Sequence, residues 1–143
     1  MSTKLTPVIV VQDMPASLAF YRDQLGFTVD MLEPKEAPSF ASLKSGDAEI
    51  MLQTVEAMAE DIPDAVVPSA ARGSIGFSGA LYHEVDDFDG VTGRIGTDAV
   101  ITRERKAPYG MTETIVRDPS GYIVVIARPT VVGSQAQETA AVG

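Results

Sequence analysis

The chain has 143 residues, 45% of them hydrophobic, with no cysteine, one histidine and a formal net charge of −9. That length fits one domain with a sizeable core, or two half-domains sharing a sheet. Absent cysteines exclude disulfides and thiolate chemistry. The acidic balance argues against nucleic acid, whose phosphates need a basic face. The charge favours a cationic small molecule by steering, although solubility alone also accounts for it.

Pro7 to Val11 is a short apolar, β-branched run and reads as a buried strand. Asp13 stands where a helix N-cap is wanted, and Pro15 fits the first turn. Leu18, Tyr21 and Leu25 mark one face of that helix, and Gly26 ends it as a residue tolerant of positive φ. Phe27, Val29 and Met31 then alternate with Thr28 and Asp30, the period of a half-buried strand. Glu33 to Pro38 is a loop. Ser39 to Lys44 and Asp47 to Gln53 form a hairpin about Ser45-Gly46. Val55 to Asp61 suits a short helix, and Ile62 to Gly76, with its prolines and glycines, reads as a linker long enough to form a lid.

Leu81 to Val85 is again a strand, Asp87 again a cap, and Phe88 to Ile95 a weaker helix. Val100 to Arg105 and Met111 to Arg117 are strands on either side of a Lys106 to Gly110 loop. Asp118-Pro119-Ser120-Gly121 is a turn signal leading into a strand at Tyr122 to Ile126. Val11 and Asp13 recur as Val85 and Asp87, 74 positions on (87 − 13). The chain therefore reads as α+β, with paired βαβββ modules at about 5–53 and 77–127 and a linker at 54–76. Residues 128–143 read as a flexible tail. No apolar run approaches a membrane span and the polar start is no signal peptide, so a cytoplasmic protein with no membrane partner is expected.

The opening strand, Ala19-Phe20-Tyr21 to Leu25-Gly26-Phe27, Glu84-Val85-Asp86-Asp87, and Tyr109-Gly110 to Arg117-Asp118-Pro119 with Gly121 resemble the vicinal oxygen chelate superfamily. That superfamily includes glyoxalase I, extradiol dioxygenases and bleomycin-resistance proteins. The resemblance spans about Leu5 to Ala127. It implies modules whose sheets curl around a cleft, usually completed in a homodimer. It also implies a divalent metal held by histidines and glutamates, one on each of four strands. Those positions fall on Thr6, Met51, Ala80 and Val125, none of which is a histidine or carboxylate. Metal chemistry is therefore not carried over, and no metal or other cofactor is expected. What remains resembles the bleomycin-resistance branch, a metal-free cleft that sequesters a molecule.

Period-2 alternation puts Glu49, Met51 and Gln53 on one strand face, either lining the cleft or simply facing solvent. Tyr82 and Glu84 are their counterparts, an aromatic beside a carboxylate that suits a flat cation, or else a surface pair at a strand end. Tyr109, Met111 and Glu113 edge the same cleft, and Phe40 adds a wall; core packing is the alternative for Met111. His83 points to the opposite face and reads as a satisfied core residue rather than a ligand. Arg103 to Lys106 reads as a solvated strand edge. Asp86, Asp87 and Asp89 are better explained by helix capping than by a metal.

The leading expectation is metal-independent sequestration of a small, cationic or aromatic molecule by a homodimer, with no catalytic residues. An isomerase, lyase or dioxygenase-related enzyme using a cleft glutamate is the alternative, and a structural or regulatory domain is a third.

Overall fold

The computed structural model describes residues 4–62, 75 and 79–130. Two four-stranded sheets carry the fold. The first holds β1 (Val8–Val11), β2 (Thr28–Glu33), β3 (Phe40–Ser45) and β4 (Ala48–Thr54), in the order β1-β4-β3-β2. The second holds β5 (Ala80–Glu84), β6 (Val100–Lys106), β7 (Met111–Arg117) and β8 (Ile123–Pro129), in the order β5-β8-β7-β6. In each, the first strand runs parallel to the fourth and the other pairs are antiparallel. The repeat is thus a repeat of topology: Val8 lies level with Met51 and Tyr82 with Val125, both pairs 74 positions apart (82 − 8, 125 − 51). The α+β class and the module pattern are as the sequence implies. β8 runs on to Pro129, past the expected boundary at Ala127. Most of the linker and residues 131–143 lie outside the described residues, and with them the lid and tail expectations.

The helices start where capping chemistry dictates. The Asp13 carboxylate accepts from the Ala16 N–H at 3.0 Å and opens α1 (Met14–Leu18). Asp87 does the same for α3 (Phe88–Gly93), at 3.1 Å from the Gly90 N–H. Thr54 caps α2 (Val55–Asp61), a cap the composition had not suggested. After Leu18 the first helix does not stay regular: Ala19–Gln24 is a π-helical turn, closed by the Leu25 N–H donating to the Phe20 carbonyl. Within this turn the consecutive Phe20 and Tyr21 are both buried in the core. Gly26 follows at φ +84, a conformation that strains any residue with a Cβ.

A bulge also revises β2. Register slips between Val29 and Met31, so Leu32 turns to the core and Met31 turns away, 49% exposed. Met31 was expected to share the face of Phe27 and Val29; the extra residue at Asp30 reverses it.

Both modules bury their helix-bearing faces in one core, from Ile9, Leu18, Tyr21, Leu43 and Leu52 through to Phe88, Val91, Val116, Val124 and Ile126. The seam between them is stitched by the Asp118 turn. The Tyr21 hydroxyl donates to one Asp118 carboxylate oxygen at 2.7 Å, and the Ser120 and Tyr122 N–H groups donate to the other. The Val10 N–H donates to the Tyr122 hydroxyl and the Gln12 N–H to the Ser120 hydroxyl, both at 3.2 Å. A segment that reads as an ordinary turn therefore clamps the second module to the edge of β1.

Candidate functional site

Each sheet has a second face, turned away from the core, and the expected site residues lie on these two faces. On the first sheet, strand pairing aligns Val8, Met51, Ser42 and Met31 in one row and Val10, Gln53 and Phe40 in the next. Val8 and Met31 are exposed there, while Met51, Gln53 and Phe40 are half-buried. The far end of this face is not open. α2 lies across it, burying Met58 against Val10, and the Gln53 amide donates to Asp61 at the helix end at 2.8 Å. Glu49 is also engaged, accepting from the Ser42 hydroxyl at 3.3 Å and pairing with Lys4. The Lys4 ammonium holds its carboxyl below the usual range, against the effect of desolvation.

On the second sheet, one row runs Tyr82, Val125, Ile115 and the next Glu84, Ala127, Glu113, Arg105. Glu113 is only 2% exposed. Burial pushes its pKa up, but three donors outweigh that and the carboxyl titrates lower than usual. The donors are the Tyr82 hydroxyl at 2.8 Å, the Arg105 Nε at 3.0 Å and the Tyr109 hydroxyl. Desolvation and the Glu113 charge in turn raise the Tyr82 phenol to about 12. The consequence is geometric: two tyrosines, 51% and 61% exposed, are held by their hydroxyls with their rings presented on the sheet face. Glu84 stands exposed in the same row as Glu113 and Met111 is half-buried beside them.

Tyr82, Tyr109 and Glu113 are therefore brought together, with Glu84 and Met111 near them. Glu49, Met51, Gln53 and Phe40 form a separate group on the other sheet. Arg105 is the functional residue the sequence hid. In a plain strand it belongs to a solvated charge run. A bulge in β6 between Thr102 and Arg105, with Glu104 at φ +50, turns it onto Glu113.

The sequence profile of the Glyoxalase/Bleomycin resistance protein/Dioxygenase superfamily matches residues 5–126, spanning both modules. The chain belongs to this superfamily. Solved structures agree on the fold. A protein of unknown function from Agrobacterium tumefaciens superposes with TM-score 0.70 at 21% identity, covering 90% of this chain and 95% of that one. A glyoxalase-related enzyme from Fulvimarina pelagi gives 0.68 at 20% identity, covering 95% and 96%. A glyoxalase/bleomycin resistance protein/dioxygenase from Nocardioides gives 0.67 at 18% identity, covering 93% and 87%. No curated protein matches the chain.

The superfamily's metal finds no fitting donors at the expected positions. Met51 and Val125 lie on the outward faces, and Thr6 and Ala80 come two residues before Val8 and Tyr82. These offer a thioether, two hydrocarbon side chains and a single hydroxyl, too few hard donors to hold a hard cation. Among the described residues no three His, Asp or Glu side chains converge into a metal-holding group. The buried Glu113 and the half-buried Glu49 on these faces are already paired with cations. Among the described residues, no helix is long and apolar enough to cross a membrane.

Proposed function

We propose that this superfamily member binds and sequesters a small aromatic or cationic organic molecule without a metal, as bleomycin-resistance proteins do. The observation that carries the reading is the Glu113 cluster. Its carboxylate is neutralised by Arg105 and spends its remaining capacity fixing Tyr82 and Tyr109. A carboxylate so stabilised is a poor general base, and it serves instead to preorganise two aromatic walls. Fixed rings reduce the entropy lost on binding, and Glu84 beside them, in no ion pair among the described residues, supplies a negative charge for a cation.

Each outward face alone is an open surface rather than a pocket. A homodimer that sets the Tyr82 face of one subunit over the Met51 face of its partner would enclose a ligand between them. Exposed Val8 and Met31 on one face and Tyr82 and Tyr109 on the other supply the apolar area such an assembly needs.

The test is isothermal titration with proflavine, a planar aromatic cation, combined with light scattering for subunit number. Expected results are a dimer, saturable binding unchanged after dialysis against EDTA, and roughly tenfold weaker binding for Tyr82→Ala, as cation–π losses imply. Binding abolished by EDTA would overturn the metal-free reading. Glu84→Gln that abolishes turnover of a bound compound while binding persists would establish an enzyme. Glu113→Gln sharpens the point: the Tyr82 phenol should titrate below about 12, toward its ordinary 10.0, in an ultraviolet difference titration.

A further inference from the structure

The two modules meet along two equivalent seams, and among the described residues only one is filled. Tyr122 precedes β8 and points to the core side, like Val124 and Ile126. Its hydroxyl reaches the edge of β1 and accepts from the Val10 N–H. The register of the parallel pairs assigns its counterpart: β4 and β8 correspond at 74 positions, so Ala48 stands where Tyr122 stands. Likewise Glu84 and Asp86 stand where Val10 and Gln12 stand. Across the hairpin, Ser45 faces Ala48 where Asp118 faces Tyr122.

The alanine leaves a hole. A cleft of about 510 Å³ opens between the modules, lined by Leu25, Ala48, His83, Glu84, Val91 and Arg94 among others. A smaller one of about 270 Å³ shares Leu25, Ala48 and His83 and continues past Phe27 and Tyr82. The larger volume is of ligand-site size. The Val85 N–H bonds the Ala127 carbonyl, so by strand alternation the Glu84 N–H points away from β8, toward the seam. Among the described residues it has no counterpart to the Tyr122 hydroxyl. The shared wall contains His83, stacked on Phe27 at 5.0 Å and 30° between ring planes. Its Nε2 is buried with no hydrogen-bond partner among the described residues. Sequence predicted a core histidine here; the packing is as expected, but the nitrogen is not satisfied, and an orphaned buried polar atom is costly.

We infer that this open seam is a second ligand site, distinct from the sheet faces, which takes a single-ring phenol in the place of the missing tyrosine. The ring occupies the space beyond Ala48 against Leu25 and Val91. The hydroxyl accepts from the Glu84 N–H, and the unsatisfied His83 nitrogen gives a polar ligand a further partner. The charge of the walls sets a second requirement. Asp47, Asp86 and Asp87 line it against Arg94, whose guanidinium is turned to the Gln24 carbonyl at 3.2 Å. A phenol bearing an ammonium is favoured and one bearing a carboxylate is rejected.

The experiment titrates the whole protein with p-cresol, the side chain of tyrosine as a free molecule, and follows amide and imidazole shifts by NMR. Saturable shifts at Ala48, Val91 and the His83 ring are expected, with toluene binding several-fold more weakly for want of the hydroxyl. Tyramine should bind about tenfold more tightly than 4-hydroxyphenylacetate. Ala48→Tyr should fill the seam and weaken p-cresol at least tenfold, whereas Tyr109→Ala, on the sheet face, should leave it unchanged. Should Ala48→Tyr not fold, Ala48→Leu fills the same space and carries the same readout. Shifts confined to the sheet faces, no saturable shifts, or undiminished binding to the filled variant would each overturn the proposal. Because the readout is confined to the seam, its failure leaves the sheet-face reading standing, and the reverse.

Discussion

One seam between the modules is closed by a tyrosine and an aspartate, and the other is left open by an alanine and a serine. In the closed seam, Asp118 accepts from Tyr21 and from the Ser120 and Tyr122 N–H groups, while Tyr122 and Ser120 reach the β1 edge. In the open one, the equivalent strand edge at Glu84 borders a cleft. The strand order is the same twice over; what differs at the seams is the turn, longer in the second module, and the size and polarity of a few side chains. A duplicated fold can thus dedicate one half-interface to holding the modules together and release the other from that duty.

The largest break of this contrast is Tyr122→Ala, which should make the closed seam resemble the open one. Loss of a buried ring with its hydroxyl should destabilise the protein by about 3–5 kcal/mol, read from the denaturation midpoint. Added p-cresol should restore part of the loss. A change below about 1 kcal/mol would show that the seam is not a structural clamp.

Asp118→Ala should cost somewhat less, about 2–3 kcal/mol, because it strands the Tyr21 hydroxyl and two N–H groups without acceptors. Asp118 also has a pH signature. Burial raises its pKa despite those donors, so the folded state holds this proton more tightly than the unfolded chain. Its contribution is therefore present at acid pH and declines as pH rises from the ordinary carboxylate range to the raised value. Asp118→Asn should flatten that part of the stability profile.

The smallest expected effect lies in the open seam. Burial lowers the His83 pKa from 6.5, so the folded state favours neutral imidazole. The unfolded chain takes up the proton first, and the stability His83 contributes above pH 6.5 is lost as pH falls toward the lowered value. His83→Phe should keep the stacking on Phe27 and remove this slope in midpoints measured across the same interval. A slope unchanged by the substitution would place the proton elsewhere.

Much of the fold was legible because it depends on local chemistry. Asp13 and Asp87 cap helices because a short carboxylate satisfies exposed N–H groups of the next turn. Gly26 and Gly46 sit at positive φ, as turn glycines do. The outward faces followed from period-2 alternation, which grouped Glu49 with Met51 and Gln53, and Tyr82 with Glu84. Alternation failed where a bulge intervened. Met31 reversed its face, and Arg105 was brought from a charge run onto Glu113. A one-residue insertion within a strand leaves no compositional mark strong enough to read. The position of α2 across Val10 was equally hidden, since it depends on where a helix folds back rather than on its own pattern.

Residue order alone determined the duplicated module and its capped helices and turns, because each depends on a residue and its near neighbours. Only the tertiary structure decided that Glu113 is consumed in holding two tyrosines, that Asp118 and Tyr122 clamp the modules, and that Ala48 leaves a gap where its counterpart fills one. Those facts join side chains from strands and turns far apart in the chain, and their meeting depends on how the two sheets pack.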